Sequence, residues 1–210
     1  MKIRYLGHSC FECTDKNGRV LITDPYTKVG YELPKGLRAD VVTVSHGHFD
    51  HNYFSAIQTE KVITEGAPCT IKGVEIFGVD SFHDEKQGEL RGKNVIFVFK
   101  MDGLTVCHLG DIGEKVSQSL VEKIGKVDVL LLPVGGTYTI DAFGAKEYAD
   151  AIQPKIVIPM HYKPLDGRID IADIQPFLRL VKGEYSFVCG GETEINFGDT
   201  GIVYMERVRI

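Results

Sequence analysis

The stretch VSHGHFDHNY, residues 44–53, places three of the chain's seven histidines, His46, His48 and His51, beside Asp50 within six positions. Imidazole and carboxylate without thiolate suit a divalent transition metal, Zn²⁺ first, with Mn²⁺ or Fe as alternatives. In an extended segment His46 and His48 share one face about 7 Å apart, so both rings reach a single ion after a small bend. Asp50 and His51 are consecutive, and extended backbone would aim them oppositely. A helical turn beginning in DHNYFSAI would instead aim both at a second ion. One loop thereby serves two ions about 3.5–4 Å apart, the separation at which a metal pair clamps a displacement reaction.

Such a cluster needs a scaffold to hold it, and the surrounding pattern is mainly of short strands. KIRYLG, SCFECT and RVLITD read as strands, the last two joined at Asn17-Gly18 in DKNG, a strong hairpin signal. After a polar loop over 25–39, DVVTVS is a buried strand that ends at the histidines. TIKGVEIFGV, NVIFVFKMDGLTVCHLG, DVLLLPV, KIVIPMH and the C-terminal YSFVCG, TEINFG and GIVYMERV continue in the same style. Helical periodicity is confined to EKVSQSLVEKIG, AFGAKEYADAIQ and IADIQPFLRLV, so the expectation is one α/β domain over 1–210. Beyond the cluster, His83 follows VEIFGVDSF, Asp111 follows LTVCHLG and His161 follows KIVIPM. Four strands thus end in a histidine or an aspartate, and strand ends can converge on one spot. His8 and His108 sit inside apolar strand segments and read as buried histidines that fill the core or support the ligands.

Composition narrows the function classes. Apolar residues make up 43% and charged residues 25% of 210, an ordinary globular balance. A formal net charge of −5 with no basic stripe argues against a nucleic-acid partner. The first residues run straight into a strand pattern, and no apolar run reaches membrane-spanning length, so a cytoplasmic protein without a membrane partner is expected. Five irregularly spaced cysteines fit reduced thiols, and Cys10 and Cys13 of CFEC face opposite ways on a strand, which makes that pair structural. Nothing in the sequence sets an oligomeric state.

HGHFDH resembles the H-x-H-x-D-H signature of the metallo-β-lactamase superfamily, and SFHDEKQG, CHLGDIG, PVGGTYTIDA and VIPMHYK follow in that superfamily's order. YLGHSCFE is similar to the first strands of the L-ascorbate-6-phosphate lactonase and N-acyl-phosphatidylethanolamine phospholipase D group. The resemblance implies an αβ/βα four-layer sandwich, two mixed β-sheets flanked by helices, around a dinuclear centre. It implies that His46, His48 and His83 hold one ion, that Asp50, His51 and His161 hold the other, and that Asp111 bridges them. It also implies that Asp24 of LITDPY accepts a hydrogen bond from a ligand histidine.

Two divalent ions against the charges of Asp50 and Asp111 leave a positive excess, which favours a metal-bound hydroxide and an anionic or carbonyl oxygen. The resemblance, with Lys86 and Arg91 in the loop just after His83, implies hydrolysis of a small phosphodiester or phosphorylated lactone-like molecule. A carboxylic-ester, lactone or amide hydrolase, and a non-catalytic ligand binder on the same fold, are the alternatives. Gly135 and Gly136 offer unshielded N–H groups, Tyr138 and Lys163 are placed to steady an oxyanion, and Lys86 and Arg91 to grip phosphate.

Overall fold

The computed structural model describes residues 1–209. Two mixed sheets face each other. The first has the order β13-β1-β2-β3-β4-β5, with β1 Lys2–Gly7, β2 Cys10–Thr14, β3 Val20–Thr23, β4 Arg38–Thr43, β5 Gln58–Ile63 and β13 Glu192–Glu194. The second has the order β12-β14-β11-β10-β9-β8-β7-β6, with β6 Cys69–Ile71, β7 Val74–Phe82, β8 Lys93–Met101, β9 Leu104–His108, β10 Val129–Pro133, β11 Ile156–Met160, β12 Ser186–Val188 and β14 Gly201–Met205. Residues such as Ile3, Phe11 and Leu21 of the first sheet join Phe97, Phe99 and Val106 of the second in one apolar core. VLLLP and IVIPM are buried at every position, as parallel strands covered on both faces must be.

Helices α1 Gln118–Ile124, α2 Ala142–Ile152 and α3 Gln175–Leu180 lie on the eight-stranded side, α1 against β7, α2 against β10 and α3 against α2. Ser117 and Asp141 cap the first two, their side chains accepting from backbone N–H groups of the first turn. The outer face of the six-stranded sheet is covered differently. Tyr26, Val29, Leu33 and Leu37 of the loop after β3 pack there on Leu6, Cys10, Ile22 and Val42. Cys10 and Cys13 accordingly belong to opposite faces, and all five cysteines are unpaired. The helix expected in DHNYFSAI is only a 3₁₀ turn, Phe54–Ala56, with no buried residue to anchor a longer one.

Turn chemistry sets the registers. Asp102 and Gly103 are both left-handed (φ 52° and 78°), which is the two-residue type I′ geometry between β8 and β9. At DKNG only Gly18 is left-handed (φ 79°), while the Asp15 carboxylate accepts the N–H groups of Asn17 and Arg19. Among the described residues no helix is long and apolar enough to cross a membrane.

Candidate metal centre

Strand polarity brings the site together. In the six-stranded sheet β1 is antiparallel to β2 and β2 to β3, while β3 is parallel to β4, so β1, β3 and β4 point the same way. In the other sheet β7, β9, β10 and β11 share one direction for the same reason. His8, Asp24 and the 46–51 loop follow β1, β3 and β4; His83, Asp111 and His161 follow β7, β9 and β11. Six strand ends therefore supply the centre, two more than the sequence indicates. The two edges are joined where Val95 N–H donates to the Ser45 carbonyl (2.9 Å).

Asp111 is the hub. Its Oδ2 lies 3.1 Å from His51 Nε2, 3.2 Å from His83 Nε2, 3.2 Å from His161 Nε2 and 3.9 Å from His46 Nε2. The donor atoms form one compact group of His46, His48 and His83 and another of His8, Asp50, His51 and His161, while a third, Asp24 with His46 and His51, shares its histidines with these two. Within each group the atoms lie within 4.8 Å of one another. His46 Nε2 and Asp111 Oδ1 are buried without a hydrogen-bond partner. Buried lone pairs converging without a donor are costly, and a cation among them relieves that cost, so these residues fit a metal.

The outer nitrogens of three of the rings are tied down. Asp24 accepts the Ser45 N–H (2.8 Å), the Ser45 hydroxyl (2.5 Å) and His51 Nδ1–H (2.8 Å). With its proton given to Asp24, the Ser45 oxygen accepts from His46 Nδ1 (3.0 Å). His83 Nδ1 donates to the Tyr138 carbonyl (3.1 Å). Each contact places a proton on Nδ1 and turns Nε2 toward the centre. Asn94, buried in β8, accepts the Asp111 N–H on Oδ1 (2.9 Å) and donates from Nδ2 to the Leu109 carbonyl (2.9 Å) and Ser81 Oγ (2.8 Å). Neither Ser45 nor Asn94 is evident as a site residue in the sequence. The available signal was an amide residue at the head of an apolar strand.

Electrostatics follow from burial. It pushes His46 down to about 3 and, with His161 beside it, His8 to about 4, so both rings are neutral; His48 is lowered less, chiefly by the same cause. Burial alone would raise Asp111, but His161 and His51 hold its carboxylate well below the usual range. Asp50 is likewise held down against burial, by His8 and His51. Burial would also discharge His51, yet Asp111 and Asp24 on its two sides raise it well above the ordinary histidine value. His8 (φ 53°), Asp24 (37°) and His161 (51°) are all left-handed, a backbone region that costs a non-glycine residue about 1 kcal/mol or more and that clusters at functional sites.

Other expected residues are placed differently. His8 lies in the turn after β1, not inside a strand, and its Nε2 meets Asp50 Oδ2 at 3.2 Å. His108 is the last residue of β9, and both its nitrogens serve the backbone, Nε2 donating to the Ser9 carbonyl (2.8 Å) and Nδ1 accepting the Gly110 N–H (3.1 Å). Gly136 is not free to stabilise an oxyanion, because its N–H donates to the Ile140 carbonyl (3.2 Å). Gly135 is required by packing, since a Cβ there would come within 2.1 Å of the His161 carbonyl oxygen. Tyr138 reaches His83 through its carbonyl rather than its phenol. Lys163 lines a cleft of about 850 Å³ with Tyr31, Tyr162 and Tyr204, whose wall contains none of the ligand candidates. Arg91 donates to the Thr137 carbonyl (3.2 Å) and sits 5.6 Å over the Tyr138 ring, while Lys86 is exposed.

The sequence profile of the beta-lactamase superfamily domain matches residues 2–161, which contain every ligand candidate. The chain belongs to that superfamily. A superfamily protein from Thermotoga maritima, described with its crystal structure as a proposed Zn-dependent hydrolase, is 38% identical and superposes with a TM-score of 0.82 over 99% of both chains. A UPF0173 metal-dependent hydrolase of Thermoplasma acidophilum is 30% identical over 79% of this chain and 85% of its own length. One from Methanosphaerula palustris is 32% identical over 77% of this chain and 84% of its own. This superfamily member is a metal-dependent hydrolase of the metallo-β-lactamase fold.

Proposed function

We propose that the hydrolase works with two divalent ions, Zn²⁺ first and Mn²⁺ or Fe as alternatives, on a small phosphodiester or phosphorylated lactone-like molecule. The carrying observation is the pair of donor groups that meet at the Asp111 carboxylate. His46, His48 and His83 would hold one ion, Asp50, His51 and His161 the other, with Asp111 between them. Bound there, a metal pair lowers the pKa of coordinated water and polarises a substrate oxygen. The chain's own contribution is orientation: Asp24, Ser45 and the Tyr138 carbonyl keep three rings turned inward, and Asn94 holds the Asp111 backbone.

Phosphate is supported by the loop after His83. The Asp84 carboxylate accepts the backbone N–H groups of Lys86, Gly88, Leu90 and Arg91, which gives the loop one conformation. That conformation sets Arg91 against the Thr137–Tyr138 backbone that also orients His83. One guanidinium N–H is used there, and the others remain for an anionic oxygen. A small-molecule substrate without nucleic acid or membrane partner is supported by the net charge of −5, and a reducing, cytoplasmic setting by the five unpaired cysteines.

The test compares Arg91→Ala and Lys86→Ala with the parent on a phosphodiester and on a neutral ester, at matched metal content. A selective loss of about tenfold on the phosphodiester in Arg91→Ala, or about 1.4 kcal/mol of transition-state stabilisation, is the expected result. Equal rates on both substrates would transfer the assignment to the neutral ester. Exposed Phe49, between His48 and Asp50 in the ligand loop, is the feature that favours that second reading.

A further inference from the structure

We propose that His8 is an additional protein donor to the buried ion, so that the two metal positions differ: beside the shared Asp111, the buried one draws on His8, Asp50, His51 and His161, and the other on three histidines. This rests on the two-ion reading above.

Apart from Asp111, the buried group offers four donors. Its three imidazoles and one carboxylate have ligand atoms all within 4.8 Å of one another, and three of the four residues are fully buried. With Asp111 shared between the ions, His8 gives the buried position one protein donor more than the other, which is thereby the more open to water or substrate. The other group has three donors, and one of them, His48, is exposed. Water and substrate therefore have their approach on the His48 side.

His8 is held as a ligand would be. Its backbone takes the left-handed conformation (φ 53°) directly after Gly7 (φ 116°), which turns the side chain out of the β1–β2 hairpin and into the site. Its N–H donates to Tyr31 Oη (3.0 Å), and its carbonyl accepts both Tyr5 Oη (2.9 Å) and the His161 N–H (2.8 Å). The last contact ties the His8 turn to His161, so the two rings are set as one unit, with centroids 4.3 Å apart. His51 lies on another side at 5.0 Å.

His108 shows what a merely structural histidine looks like in this protein. It is equally buried, but both of its nitrogens are spent on backbone groups. His8 Nε2 has as its hydrogen-bond neighbour, among the described residues, a carboxylate oxygen of the ligand set itself. That nitrogen and Asp50 Oδ2 are 3.2 Å apart, the spacing of two atoms sharing one ion.

The experiment uses the full chain stripped of metal and reloaded with Co²⁺. His48→Ala weakens the exposed group so that one ion remains per chain; its imidazoles are counted by X-ray absorption, and its affinity is measured against a chromophoric chelator. Three imidazoles are expected in His48→Ala, from His8, His51 and His161. Adding His8→Asn, a residue that tolerates the left-handed backbone, should reduce the count to two and weaken binding by more than about a hundredfold, beyond the loss expected of an orienting partner. Two imidazoles in His48→Ala itself would overturn the proposal even if His8→Asn failed to fold. So would a change in affinity of less than about tenfold with the count unaltered, which would leave His8 as a group that only positions Asp50. Parent protein that takes up no Co²⁺ would overturn the two-ion reading and this inference together. Two ions bound with His8 silent would remove this inference alone.

Discussion

His51 answers to two carboxylates at once: Nδ1 is 2.8 Å from Asp24 Oδ2 and Nε2 is 3.1 Å from Asp111 Oδ2. Its raised pKa means that the metal-free ring is charged at neutral pH, so an ion can take Nε2 only by displacing a proton. Below that raised pKa, affinity for the buried ion should climb about tenfold per pH unit. His46 and His8, lowered to about 3 and about 4, are already neutral there and add no slope. Calorimetric titration in buffers of different ionisation heat should show proton release on filling the buried position around neutral pH. Asp24→Asn removes one of the two carboxylates, so proton release should fall while affinity weakens about ten- to a hundredfold. A titration with no proton release in the parent would contradict this charge assignment.

At the scale of elements, the site is a set of strand ends held in step by buried polar groups. Asn94 of β8 is the clearest of these, because one amide joins the Asp111 N–H, the Leu109 carbonyl and Ser81 across three neighbouring strands. Gly110 makes room for it: a Cβ there would meet Asn94 Oδ1 at 2.3 Å. Asn94→Ala strands the Asp111 N–H and the Leu109 carbonyl in the core, at a cost of about 1–3 kcal/mol per unpaired group. The denaturation midpoint should fall, and metal content should fall with it because Asp111 loses its backbone anchor. An unchanged midpoint and full metal content would show that the amide is dispensable. The strand least visible in the sequence is β5, QTEKVI, an edge strand paired with β4 on one side and mostly exposed, so it lacks the apolar alternation that marks the others.

For the whole molecule, ligand candidates come from both sheets, with His46, His48, Asp50 and His51 on one and His83, Asp111 and His161 on the other. Bound ions are therefore cross-links between layers that the apolar core already holds together. Chelation should leave a folded protein of lower stability. An ion present at a hundred times its Kd contributes about 2.7 kcal/mol, which for a chain of this size corresponds to about 5–10 °C in Tm. Scanning calorimetry with and without chelator should show that decrease and its recovery on adding metal. A Tm indifferent to chelation would mean that the ions do not join the sheets.

The sequence by itself determined the chemistry of the 46–51 loop, because the ligand types are contiguous there, and it determined most strands and all three helices, because side-chain periodicity and turn residues such as Asp102-Gly103 are local signals. It also placed His83, Asp111 and His161 at strand ends. Tertiary structure decided which ends meet, since that depends on strand order and direction, and these are set by pairing between segments far apart in the chain. His8, 38 residues ahead of His46 in a strand-like run, could not be seen as a neighbour of Asp50 until β1 and β4 were known to point the same way. Likewise Gly136 looked free because a turn does not reveal that its N–H is spent on Ile140. Asn94, at the head of a strand, gave no sign of its role because its three partners lie 13, 15 and 17 positions away, across strands that only the folded sheet brings side by side.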